Sequence, residues 1–144
     1  MLDSATIEFI KKHRCEDIRT LALQAKRYPT VDMREAVTQI EGWQHAREKL
    51  PEWAAVEGII YPPKISMEQC SSEKTAKYKA SLIGRSKRFA DLTGGFGIDF
   101  SYTARGFNEA YYIERNKELC DIATANFAHL GLNNVKVMNG NSEE

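Results

Sequence analysis

An α/β fold class, with a helical front followed by about three parallel strands from the first half of a doubly wound sheet, follows from three features of the 144-residue sequence. Residues 1–50 repeat apolar positions at helical spacing. After residue 88, short apolar strands alternate with helical segments, the pattern of a parallel sheet. Between the first strand and its helix lie three glycines in four positions, Gly94, Gly95 and Gly97. The chain divides into a helical subdomain (1–58), a connector with a short helix (59–87) and a partial sheet (88–144).

Taken in order, Asp3 or Ser4 caps a helix carrying Ile7, Phe9 and Ile10, and a second helix runs from about Glu16 to Arg27. Tyr28-Pro29-Thr30 breaks it. Asp32 caps a longer helix through Lys49, with Ala36, Val37, Ile40, Trp43 and Ala46 near one face and Gly42 as an irregularity. Leu50-Pro51 ends it. Residues 59–70 read as an extended connector, because Pro62-Pro63 oppose a helix. Ser71-Ser72-Glu73 then starts a helix to about Gly84, with a serine cap and a glutamate that complements the dipole. Arg88–Asp91 is the first strand. Glu109–Glu114 is the second, a buried strand ending in an acid. Asn116 caps a helix carrying Leu119, Ile122, Ala123, Phe127 and Leu130, stopped by Gly131. Val135–Met138 is the third strand, followed by Asn139-Gly140-Asn141.

Twenty basic residues balance twenty acidic ones, so the net charge does not single out a nucleic-acid partner. The run Lys74, Lys77, Lys79, Arg85, Lys87, Arg88 could follow a phosphate backbone, but a solvated helix face explains it more simply. Cys15, Cys70 and Cys120 are odd in number and far apart, which suggests neither a disulfide framework nor zinc. His13, His45 and His129 have no acids or cysteines at ligand spacing, so no metal is expected. No apolar run approaches a membrane span and no signal-peptide pattern opens the chain, so a cytoplasmic location is the expectation.

Glycines between a strand and a helix let the backbone take positive φ and bring its N–H groups against a ligand. A dinucleotide fingerprint would need glycine or alanine where Phe100 stands, which disfavours a dehydrogenase half-domain. A triphosphate loop would need Lys-Ser or Lys-Thr after the glycines. In a doubly wound fold, Glu114 lies where a carboxylate accepts hydrogen bonds from a ribose. The run Asp91-Leu92-Thr93-Gly94-Gly95-Phe96-Gly97 resembles motif I of the class I S-adenosylmethionine-dependent methyltransferases, an acid followed by x-[GA]-x-G-x-G. Thr93 departs from the usual small residue.

The resemblance extends through Tyr61-Pro62-Pro63-Lys64-Ile65-Ser66-Met67-Glu68-Gln69-Cys70-Ser71-Ser72-Glu73, which is similar to the connector of THUMP-like methyltransferases. Around the glycines the chain also looks distantly like the cap-hypermethylating trimethylguanosine synthases. The resemblance implies a Rossmann-like sheet and S-adenosylmethionine as cofactor. Asp91 would meet the methionine amino group, and Thr93 to Gly97 would approach the cofactor backbone-first. Glu114 would hold the ribose, with Arg115 and Asn116 bordering the adenine. Asn141 stands where the family usually has an adenine-contacting Asp. Gln69, Ser71 and Thr75 would border the methionine end, and Asp99 reads as a partner of its helix dipole. Tyr61 replaces the Asp or Asn of an acceptor-gripping Pro-Pro motif, so Tyr61-Pro62-Pro63 reads as a rigid linker.

No catalytic residue is assigned, because the acceptor half of such enzymes follows the third strand. The expectation is therefore a cofactor-binding portion of a longer enzyme, inactive alone, with an RNA substrate read by parts outside these residues. An exposed, apolar edge on the first strand would then favour homodimerisation. The alternative is a non-catalytic module for an adenosine-containing ligand or for a protein partner.

Overall fold

The computed structural model describes residues 2–141 and 143. Helix α1 (Ser4–His13) starts where the Asp3 carboxylate accepts the Thr6 N–H at 2.8 Å. Helix α2 (Ile18–Ala22) is capped by Asp17 and is much shorter than expected; a 3-10 turn at Ala25–Arg27 follows it. Leu23 is 87% exposed, so no single apolar face continues to Arg27. Helix α3 (Met33–Lys49) begins at Asp32, whose carboxylate accepts the Glu35 N–H and whose own N–H donates to Thr6 Oγ1 at 3.0 Å. Phe9, Leu21, Met33, Ala36 and Ile40 close a small helical core.

The second half of α3 belongs elsewhere. Ala46, Leu50 and Trp53 pack into the larger core beneath the sheet, with Pro51 opening the short helix α4 (Pro51–Ala54). The connector is extended only as far as Pro63, after which helix α5 (Lys64–Gln69) begins. Paired prolines restrict the residues before them, but a helix start needs no proline N–H, so they precede a helix here instead of excluding one. Two buried amides clamp the extended part. Asn126 holds both backbone polar groups of Ile60, at 2.7 and 2.8 Å, and Gln39 holds both of Tyr61, each at 2.8 Å. Helix α6 (Glu73–Ile83) follows its Ser72 cap.

The sheet is parallel, with strand order β1 (Ser86–Asp91), β2 (Phe107–Glu114), β3 (Val135–Asn139). Helices α7 (Ile98–Ala104) and α8 (Lys117–His129) make the two crossovers. Because the strands advance in one direction, right-handed crossovers put both helices on the same face. That face carries Phe89, Ala110, Tyr112, Val135 and Val137 into the core. The opposite face is not packed: Ala90 is exposed, Met138 is 51% exposed, and Tyr111 and Ile113 are half-buried.

The expected edge is present, but its character is different. Strand β1 pairs only with β2 among the described residues, yet Ser86, Lys87 and Arg88 make its first half polar and exposed. Apolar surface is left uncovered on the sheet's open face and on α6, where Tyr78 and Leu82 are exposed. No helix among the described residues is long and apolar enough to cross a membrane.

Candidate functional site

The glycine bend sits at the carboxyl end of β1, where ligands bind in open α/β sheets. Asp91 ends the strand and its carboxylate accepts the Thr93 N–H at 3.0 Å, so it shapes the turn it precedes. Gly94 donates to the Ile113 carbonyl at 3.0 Å, and Gly95 donates to Glu114 Oε2 at 2.9 Å. The other Glu114 oxygen accepts the Asn116 N–H at 2.9 Å. Glu114 is thereby turned onto the bend.

The three glycines have three different reasons. A Cβ on Gly94 would stand 2.1 Å from the ring of Tyr112, so close packing from below demands glycine there. Gly97 has φ +95° and abuts Phe127, where a Cβ would come within 2.8 Å. Gly95 has φ +56° and faces open space, with no atom within 3.9 Å of the Cβ position. Only Gly95 presents bare backbone outward. Tyr112 supports the bend by donating its hydroxyl to the Gly95 carbonyl. Burial, with the Glu114 charge as a smaller cause, holds that phenol protonated well above the ordinary tyrosine range, so it remains a donor.

Two crevices flank the bend. The first, of about 330 Å³, lies between the bend and the α5–α6 junction; Asp91, Thr93, Gly94, Gly95 and Gly97 line it from one side, Gln69 and Ser71 from the other. The second, of about 540 Å³, is lined by Thr93, Glu114, Arg115, Gly140 and Asn141. Thr93 borders both. Thr75 lines neither, because its N–H and hydroxyl both pair with the hydroxyl of the Ser72 cap. Asn116 is engaged as the cap of α8.

The first crevice also holds a charged cluster whose assembly the sequence did not announce. Asp99 Oδ2 accepts from Ser71 Oγ at 3.0 Å and from Lys79 Nζ at 3.1 Å, while Asp99 Oδ1 is buried without a hydrogen-bond partner among the described residues. Asp99 does occupy the first turn of α7, as a dipole partner should, but its ties run to α6 and the loop before it. Cys70 borders the same crevice, and burial pushes its thiol up from the ordinary value, away from thiolate reactivity. The basic run is partly neutralised, with Lys77 paired to Glu52 and Glu73, Lys79 to Asp99 and Arg88 to Glu109. Among the described residues, no cluster of three or more His, Cys, Asp or Glu side chains is arranged to hold a metal.

No protein-family profile matches the chain, and no curated protein matches it. Solved structures do. A provisionally assigned methyltransferase from Porphyromonas gingivalis W83 superposes on 99% of the chain with a TM-score of 0.82 and 31% identity. The fold is a Rossmann-like methyltransferase fold. The chain spans 37% of that protein's length. Two weaker likenesses are a provisionally assigned RNA methyltransferase from Pyrococcus horikoshii (24% identity, TM-score 0.49, 66% of this chain and 51% of that one) and a precorrin-8w decarboxylase from Methanobacterium thermoautotrophicum (24%, 0.47, 51% and 41%). In the methyltransferase fold the carboxyl ends of the strands, where the bend and Glu114 lie, form the ligand-binding end.

Proposed function

We propose that this chain is the cofactor-binding front of an S-adenosylmethionine-dependent methyltransferase acting on RNA, with the acceptor side supplied by segments outside these 144 residues. One observation carries the reading: Glu114, at the end of β2, is turned onto Gly95, the one glycine of the bend whose Cβ position is open. A ligand can approach this backbone from outside, with a carboxylate beside it to accept hydrogen bonds from a diol.

The residues present suit each part of such a cofactor. Glu114 would hold the ribose hydroxyls, and Asn141 offers an amide oxygen to the adenine edge from the same crevice. Across Thr93, Asp91 and the unpartnered Asp99 Oδ1 suit an ammonium, while Lys79 and Ser71 suit a carboxylate. Thr93 borders both crevices, so a ligand with an amino-acid end and a nucleoside end can reach one with each. S-adenosylmethionine, when bound, supplies a methyl group on a sulfonium for in-line transfer. What the chain contributes is alignment and exclusion of water by the α5–α6 junction over the bend.

The uncovered sheet face and the free side of β1 support the reading that further strands and helices complete the parent protein. An RNA acceptor rests on the connector's resemblance to THUMP-like enzymes and on Lys74, Arg85 and Lys87, which form no ion pair among the described residues. Isothermal titration of the chain with S-adenosylhomocysteine, NAD and ATP tests the proposal. S-adenosylhomocysteine should bind in preference, and Glu114→Ala should weaken it by about tenfold or more, the loss expected when charge-assisted hydrogen bonds go. Preference for NAD or ATP would replace this reading with another adenosine-ligand module.

A further inference from the structure

A mainly apolar cavity lies away from the bend. It lies in the helical front, holds about 390 Å³, and has walls built from Ile7, Ile10, Trp43, Val56 and Ile60. Cavities of this size and character, apolar with a few placed polar groups, are typical small-molecule sites. Three polar features break the apolar lining.

The first is Tyr61, which borders the cavity and is only 4% exposed. Its backbone is fully engaged by Gln39, but its buried hydroxyl has no hydrogen-bond partner among the described residues. An unpaired buried hydroxyl costs stability unless something satisfies it. The second is Arg14, which stacks over the Trp43 ring at 4.6 Å and meets Glu57 at 3.6 Å on the cavity wall. Glu57 lines the cavity together with Arg14 and Tyr61. The third is Lys11, one turn before Arg14, which borders the cavity and has no ion pair or hydrogen bond among the described residues. With Glu57 answered by Arg14, the polar end keeps one cation to spare. His129 also borders the cavity, packed against Gly58.

We infer that this cavity binds a small amphiphilic acid, its apolar body along the isoleucines and Trp43 and its carboxylate at Lys11 and Arg14, accepting the Tyr61 O–H. A carboxylate matches an orphan donor beside surplus positive charge, and the aliphatic walls match a chain or ring without polar atoms. The glycine bend has no part in the site. The inference does not depend on the methyltransferase reading.

Decanoate is the probe, with decylamine as its charge-reversed control, titrated into the 144-residue chain by calorimetry and by tryptophan emission. Trp43 lines the cavity and Trp53, the other tryptophan, is buried in the main core, so Trp43→Phe should silence the emission change. Decanoate should bind one to one and decylamine about tenfold or more weakly, as expected for losing a charge-assisted contact. Ile7, 39% exposed, can be enlarged without disturbing the core, and Ile7→Trp should fill the cavity and abolish binding. Tyr61→Phe should weaken decanoate about threefold to tenfold and raise the unfolding midpoint of the free chain. Absence of saturable decanoate binding up to millimolar concentration would overturn the inference. So would equal binding of decylamine, or an affinity that Ile7→Trp leaves unchanged in a folded variant. A dimer that decanoate does not displace and Ile7→Trp disrupts would assign the cavity to a second copy of the chain instead.

Discussion

Two tyrosines in this protein each pack closely against a glycine, and they differ in what their hydroxyls meet. In the sheet, Tyr112 presses on Gly94 and donates to the Gly95 carbonyl. In the helical front, Tyr61 presses on Gly42, in the middle of α3, and its hydroxyl has no hydrogen-bond partner among the described residues. The same packing device therefore does two jobs. Under the bend it fixes backbone that must stay bare for a ligand, and a satisfied hydrogen bond completes it. Between the connector and α3 it seats a rigid segment beside a cavity and leaves a polar group unpaired at the cavity's end.

The largest effect should come from adding a methyl group at either glycine. A Cβ at Gly94 would lie 2.1 Å from a ring carbon of Tyr112, which is buried in the core under the bend. Overpacking of this kind costs about 1–3 kcal/mol, so Gly94→Ala should lower the urea midpoint and weaken S-adenosylhomocysteine together. At Gly42 the Cβ would stand 2.3 Å from that of Tyr61. Alanine gains about 1 kcal/mol of helix propensity there, so Gly42→Ala should destabilise less than Gly94→Ala and leave the bend's affinity unchanged. Equal losses of affinity would break the separation between the two regions.

Removing the hydroxyls should give effects of opposite sign. Tyr112→Phe takes the donor from the Gly95 carbonyl and should cost about 1–2 kcal/mol. Tyr61→Phe removes an orphan and should be neutral or stabilising by up to about 1 kcal/mol. Denaturant titrations of the two variants, side by side, check this. Destabilisation of both would mean that the Tyr61 hydroxyl is satisfied in solution.

How much of this was legible in the sequence depends on how local each cause is. Asp3, Asp32, Ser72 and Asn116 cap the helices they were expected to cap, because a cap acts over three residues. The bend and the acid at Glu114 were readable from spacing, and so was the fold class. Helix α5 was hidden by the prolines before it, since Pro63 both restricts the residue before it and suits the helix it precedes. The reasons for Gly94 and Gly97 were not readable. Tyr112 reaches Gly94 only because β2 pairs with β1 in a register that sets Asp91 opposite Tyr112, and Phe127 reaches Gly97 only through the packing of α8. Gly42 looked like a flaw in a helix for the same reason. Its partner lies in another element.

The smallest expected effect concerns the joint between the two regions. Glu52, in α4, accepts from Lys77 Nζ of α6 and from Tyr102 Oη of α7 at 2.8 Å, and its N–H donates to Glu73 Oε2 at 3.1 Å. The hydrogen bond from Lys77, then that from Tyr102, holds the Glu52 carboxyl below its ordinary value of 4.5, and Glu52 and Glu73 in turn raise Lys77 above 10.5. The depressed carboxyl contributes stability above its unfolded value and loses it as pH falls through the folded one. The raised ammonium contributes below 10.5 and loses its share as pH rises through its folded value. The joint is therefore fully made between these limits. Both side chains are about half exposed, so screening by solvent keeps the pair a weak surface ion pair. Glu52→Gln should lower stability slightly at pH 7 and by less at pH 2, where more of the wild-type carboxyl carries a proton. A deficit of the same size at both pH values would mean that shape, and not charge, holds α4 against α6 and α7.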